Sequence, residues 1–127
     1  MHPFPDTPTI AGAPAETLES GHLWLIEWLD GGRLRFVMEP SGLLRFGDQE
    51  RTDLPTDPPP PPYRAAVRHV RETLDRDTLR GTLDDPATIT FCGIATYHRS
   101  IPYDWGRLPP FLGCDIWSPA TDGWASP

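Results

Sequence analysis

The sequence predicts an α+β (mixed α/β) domain: an antiparallel β-meander, one covering helix and two further strands. Three observations predict it. Apolar residues alternate around tight Gly-rich turns between residues 23 and 46. One stretch, residues 63–76, repeats at helical spacing. Two later apolar runs, "TITFCGIAT" and "FLGCDIW", are short, rich in strand formers and bounded by turn residues.

Taken in order, residues 1–17 read as an extended lead-in punctuated by proline. "LWLIEWL" (23–29) is rich in strand formers and ends at Asp30-Gly31-Gly32, a strong turn signal. "RLRFVM" then alternates, with Arg33 and Arg35 on one face and Leu34, Phe36 and Met38 on the other. "EPSG" places proline and glycine where a second turn needs them, and "LLRF" returns as the third strand of the meander. A polar loop follows and ends in five prolines, Pro58 to Pro62, which read as a stiff spacer.

In "YRAAVRHVRETLDR", Tyr63, Ala66, Val67, Val70 and Leu74 share one helix face. The other face sets Arg68 against Glu72, Arg71 against Asp75 and Glu72 against Arg76, pairs worth about 0.2–0.5 kcal/mol each. His69 lies beside that solvated face. A short helical turn around Asp77 to Leu79 precedes Gly81, and the two later strands complete the domain. The domain is read over 18–118, with 119–127 as a tail.

Composition narrows the function. The net charge is −7, which argues against tight, sequence-blind binding of nucleic acid. All eleven basic residues are arginine, so no side chain of this chain can serve a lysine-dependent covalent step. No apolar run approaches the roughly 20 residues that cross a bilayer, and the first residues lack the pattern of a signal peptide. The expectation is a cytoplasmic protein that does not engage membranes. Cys92 and Cys114 sit in apolar contexts and read as buried thiols. Together with His98 they lack the paired spacing of a zinc site, so no metal ligand is assigned.

Several stretches occur together in a meaningful order: "GHLWLIEWLDGGRLRF", "SGLLRFGD", "TFCGIATYHR" and "YDWGRLPPFLGCDIW". Over residues 18–118 this order resembles the adenylyltransferase domain of ATP-dependent RNA ligases. These are covalent nucleotidyltransferases related to DNA ligases and messenger-RNA capping enzymes. A GC-rich genome or a salt-adapted proteome could each produce the acidic, arginine-only composition, and the segments look like versions from salt-adapted archaea. The resemblance implies a partial nucleotidyltransferase (ATP-grasp-like) fold, with ATP and Mg2+ as family cofactors. In such enzymes the lysine of KxDG attacks the α-phosphate of ATP, and AMP then passes to an RNA 5′-phosphate.

Here Trp28 stands at the nucleophile position, and an indole cannot replace the amine. Ile94 replaces the glutamate expected after "FxG", and Cys114 replaces the aromatic that stacks on adenine. The arginine expected after "FGD" aligns with Gln49, with Arg51 close by as the alternative. Glu27, Asp30, Gly31, Gly93 and Asp115 keep the family pattern, and Arg33 holds a place suited to phosphate. Nothing after Trp117 resembles the family's later "EGxV" strand or KxK pair, so the expectation is a truncated domain.

The leading expectation is therefore a catalytically inactive RNA-ligase-like domain. Weak nucleotide or RNA 5′-end binding would run through Arg33, Arg35 and Arg51. Two alternatives stand beside it. One is an interaction subunit or regulator, homo-oligomeric or with another protein, that pairs through an open sheet edge. The other is half of a split ligase completed by a second chain.

Overall fold

The computed structural model describes residues 1–7, 9–19, 27–97 and 99–125. Gly32–Met38 (β1) and Leu44–Gly47 (β2) form an antiparallel hairpin in which Phe36 faces Phe46 and Met38 faces Leu44. Its turn closes through Gly42 N–H to the Glu39 carbonyl at 2.8 Å and Glu39 N–H to the Leu43 carbonyl at 2.9 Å. Gly42 sits at φ +87°, a conformation that costs a residue without Cβ very little. Thr90–Ala95 (β3), Phe111–Ser118 (β4) and Gly123–Ala125 (β5) complete a five-stranded sheet in the order β2-β1-β3-β4-β5. Every neighbouring pair is antiparallel. The helices are Ala15–Glu19 (α1), Arg64–Thr73 (α2) and Arg76–Thr82 (α3). The domain is thus α+β: one open sheet with α2 and Leu79 of α3 packed against it. No described helix is long and apolar enough to cross a membrane.

The expected three-stranded meander reduces to the β1–β2 hairpin. Its first strand was expected over 23–29; residues 23–26 lie outside the described residues, and 27–29 are irregular. The neighbour of β1 along Gly32–Phe36 is β3, brought from far along the chain. Two further expectations are corrected. The expected tail contains β5, in a hairpin with β4 that turns through Asp122 at φ +46°. The single helix over 63–76 breaks at Leu74-Asp75. There the Asp75 carboxylate leaves the helix and accepts from Thr78 N–H (2.9 Å) and the Thr78 hydroxyl (2.7 Å), capping α3. The break parts Arg71 from Asp75 and Glu72 from Arg76, and among the described residues none of the three expected pairs, Arg68–Glu72 included, forms an ion pair. Arg71 donates to the Thr56 carbonyl, and Arg76 donates to the carbonyls of Gly42 and Arg71.

The core lies between the sheet and α2. Leu34, Phe36 and Met38 of β1 with Leu44 and Phe46 of β2 pack on Ala66, Val67 and Val70. Burying each large side chain here contributes about 1.5–3 kcal/mol. Phe36 stacks on Phe91 at 4.9 Å and meets Phe111 edge-on at 5.8 Å, carrying the core towards β4.

On the opposite face lies the start of the chain, expected to be a mere lead-in. His2 donates its backbone N–H to Thr90 Oγ1 (2.9 Å) and stacks its ring on Trp117 with centroids 4.0 Å apart. Arg35, 3% exposed, donates to the His2 carbonyl at 2.8 Å, with its guanidinium over the Phe4 ring. Burial pushes the Arg35 pKa down from its ordinary value. The first four residues are therefore part of the folded domain. Arg35 is committed to holding them and is not open to a ligand.

Candidate functional site

The Asp30-Gly31-Gly32 turn leads into β1, and both glycines are required by close approach. A Cβ on Gly31 would collide with Ile94 and the Ala95 carbonyl at the end of β3. One on Gly32 would come within 2.9 Å of the Tyr97 ring and 3.0 Å of the Tyr63 ring. The Asp30 carboxylate ties down the following loop. It accepts from the Ser100 hydroxyl (2.5 Å), Ser100 N–H (3.1 Å) and Ile101 N–H (3.3 Å), with Arg99 at 3.7 Å. Those bonds, the Ser100 hydroxyl's first, hold Asp30 below the usual carboxylate range. The Asp30 backbone N–H in turn donates to the Tyr103 hydroxyl at 3.0 Å.

This anchoring leaves a polar pocket of about 550 Å³ beside the turn, lined by Gly31, Gly32, Arg33, Gln49, Tyr63, Tyr97, Arg99, Trp28 and Thr7. Two guanidinium groups give it positive character. Arg99 donates to the Gly31 carbonyl at 3.1 Å and lies over Tyr97. Arg33 makes no ion pair among the described residues. Its guanidinium lies 5.1 Å from the Trp28 ring and 5.5 Å from the Phe4 ring, so it is positioned by aromatic faces without being neutralised. Trp28, expected from the resemblance to occupy the nucleophile position, is 59% exposed and lines the pocket. Burial raises the Tyr63 hydroxyl above its ordinary range, so it stays a donor at neutral pH.

A second, more apolar pocket of about 320 Å³ shares Trp28 with the first. It is lined by Glu27, Leu29, Ile94, Leu112, Gly113, Cys114 and Asp115. Of the two thiols expected to be buried, Cys92 is, but Cys114 is exposed on β4, with its Sγ directed to the Cys92 carbonyl at 3.7 Å. Burial pushes the Cys114 thiol up to about 11 and the buried Cys92 thiol up to about 12. Neither is a nucleophile near neutral pH.

Residues singled out from the sequence are thus distributed over two adjoining pockets. Gly31, Arg33 and Gln49 line the first, Glu27, Ile94, Cys114 and Asp115 the second, and Trp28 both. Asp30 supports the first from behind. Gly93 serves packing: at the β3–β4 bulge, a Cβ there would strike the Leu112 carbonyl and the Phe111 ring. Arg51 lines neither pocket, because Asp48 takes its guanidinium through Nε (3.1 Å) and Nη2 (2.6 Å). For Asp48 itself burial opposes ionisation, yet the Arg51 and backbone bonds keep its pKa lowered.

Tyr63, Tyr97, Arg99 and Thr7 were not foreseen. The one local signal was the "YHR" that closes the "FCGIAT" strand. Among the described residues no three His, Cys, Asp or Glu side chains form a group that could hold a metal ion. Comparison with protein-family models, with curated proteins and with solved structures found no match.

Proposed function

We propose that this chain is an RNA-ligase-like nucleotidyltransferase domain that no longer transfers nucleotides and instead binds a phosphorylated end, a nucleotide or an RNA 5′-phosphate. One observation carries the reading: at the glycine turn, Arg33 lies against aromatic rings with no carboxylate partner among the described residues, beside Arg99 and the exposed Trp28. Guanidinium groups suit phosphate oxygens, and an exposed indole suits a stacked base. The family's capture of AMP on lysine has no agent here, because the chain has no lysine.

The test is calorimetric titration with ATP and with an RNA oligonucleotide carrying either a 5′-phosphate or a 5′-hydroxyl. The reading expects one saturable site that prefers the phosphorylated ligand and weakens with salt. Arg33→Ala should weaken it about ten- to a hundredfold. Equal affinity for the 5′-hydroxyl strand would refute an end-recognising site, and recovery of protein-bound AMP would refute the loss of transfer chemistry.

A further inference from the structure

Among the described residues, β4 is paired on one side only from Phe111 to Asp115. β3 takes its inner edge, whereas β5 reaches only Ile116, Trp117 and Ser118. The outer edge of 111–115 has no backbone partner among the described residues. Edges of this kind are commonly guarded by lysine, proline or a covering loop. Here the stretch reads Phe-Leu-Gly-Cys-Asp, and the bulge opposite Cys92 and Gly93 leaves Gly113 and Cys114 exposed.

A hollow lies on each face of this edge. On the helix face, an open groove of about 420 Å³ is lined by Phe36, Leu74, Phe91, Phe111 and Ile116. On the other face is the 320 Å³ pocket with Trp28, Leu29 and Leu112, whose lining includes the acidic residues Glu27 and Asp115. Gly113, Cys114 and Asp115 border both. An incoming strand sends alternate side chains to opposite faces, so it would place one set in the groove and the other in the pocket. The groove suits an aliphatic side chain. The pocket suits a long basic one, with its stem against Trp28 and Leu112 and its charged head at Glu27 and Asp115. Arg33, which shares Trp28 as a neighbour, lines the other pocket. A chain of net charge −7 also favours a basic partner.

We propose that the open edge of β4, Phe111 to Asp115, takes an extended peptide of a partner protein as an added strand, one that alternates aliphatic and basic residues. The ladder supplies affinity, and the two hollows supply selectivity. This inference does not rest on the phosphate reading, although the two pockets share Trp28.

The test titrates the full chain with a capped peptide of about six residues alternating leucine with arginine. Amide resonances are followed by NMR. Two control peptides carry N-methyl groups on the ladder-facing amides or glutamate in place of arginine. The expected result is one-to-one binding that shifts the amides of 111–115. It should weaken about tenfold on N-methylation, as for one or two lost hydrogen bonds. The doubly substituted Glu27→Gln, Asp115→Asn chain, verified as folded by circular dichroism, should lose its preference for arginine over glutamate. The proposal is overturned if the folded chain binds none of the peptides or binds the N-methylated one equally. It is also overturned if the chain self-associates through 111–115, since the occupant would then be a second copy.

Discussion

A methyl group at Gly31 would meet the Ala95 carbonyl oxygen at 2.5 Å, whereas one at Gly81 would meet nothing within 4 Å. The two glycines therefore make opposite predictions. Gly31→Ala should destabilise the fold by about 1–3 kcal/mol through forced overlap against β3. Gly81→Ala, within α3, should stabilise it by about 0.5–1 kcal/mol. Urea denaturation of both variants checks the pair, and a neutral Gly31→Ala would show that the turn does not press on the sheet as described. The thiols offer a second check at this scale. With Cys92 raised to about 12 and Cys114 to about 11, iodoacetamide should label the native chain far more slowly at neutral pH than the urea-unfolded chain.

At the scale of elements, the β1–β2 hairpin was legible because each part is local. Alternation set the faces, and Pro40 and Gly42 marked the turn. β5 was not, because three residues, Gly-Trp-Ala, carry no periodicity, and their pairing depends on Trp117 meeting Trp124 across a turn. The insertion of β3 beside β1 was illegible for a related reason: a distant strand competes for the same edge, and only the folded core decides between them. The helix break could have been read from "LDRDT", where Asp75 precedes Thr78 at capping distance. Asp75→Ala should accelerate amide hydrogen exchange across 76–82 and leave 64–73 protected. Phe46→Ala, at the centre of the sheet–α2 interface and fully buried, should instead cost about 3–5 kcal/mol and lower protection throughout.

For the molecule as a whole, folding depends on carboxylates held in their charged form. Asp30, Asp48 and Asp75 all have folded pKa values below their unfolded ones. Their contribution is complete above the unfolded value of about 3.9 and is lost as pH falls through the lower folded values. Stability should thus hold from neutral pH to about pH 4 and decline below it, which thermal melts across that range would show.

The candidate site was half legible at this scale. The "WLDGGR" segment announced the turn, Trp28 and Arg33. Tyr63, Tyr97 and Arg99 joined it through tertiary packing of three separate segments, with no shared sequence signal. Arg51 looked equivalent to Arg33 until Asp48 proved to hold it. The proposed phosphate site at Arg33 is tested most directly by titration of the intact chain and of Arg33→Ala with ATP, followed by intact-mass analysis. The expected result is one saturable site, weakened by the substitution, and protein of unchanged mass. Absence of binding by the folded chain, or a protein carrying AMP, would contradict it.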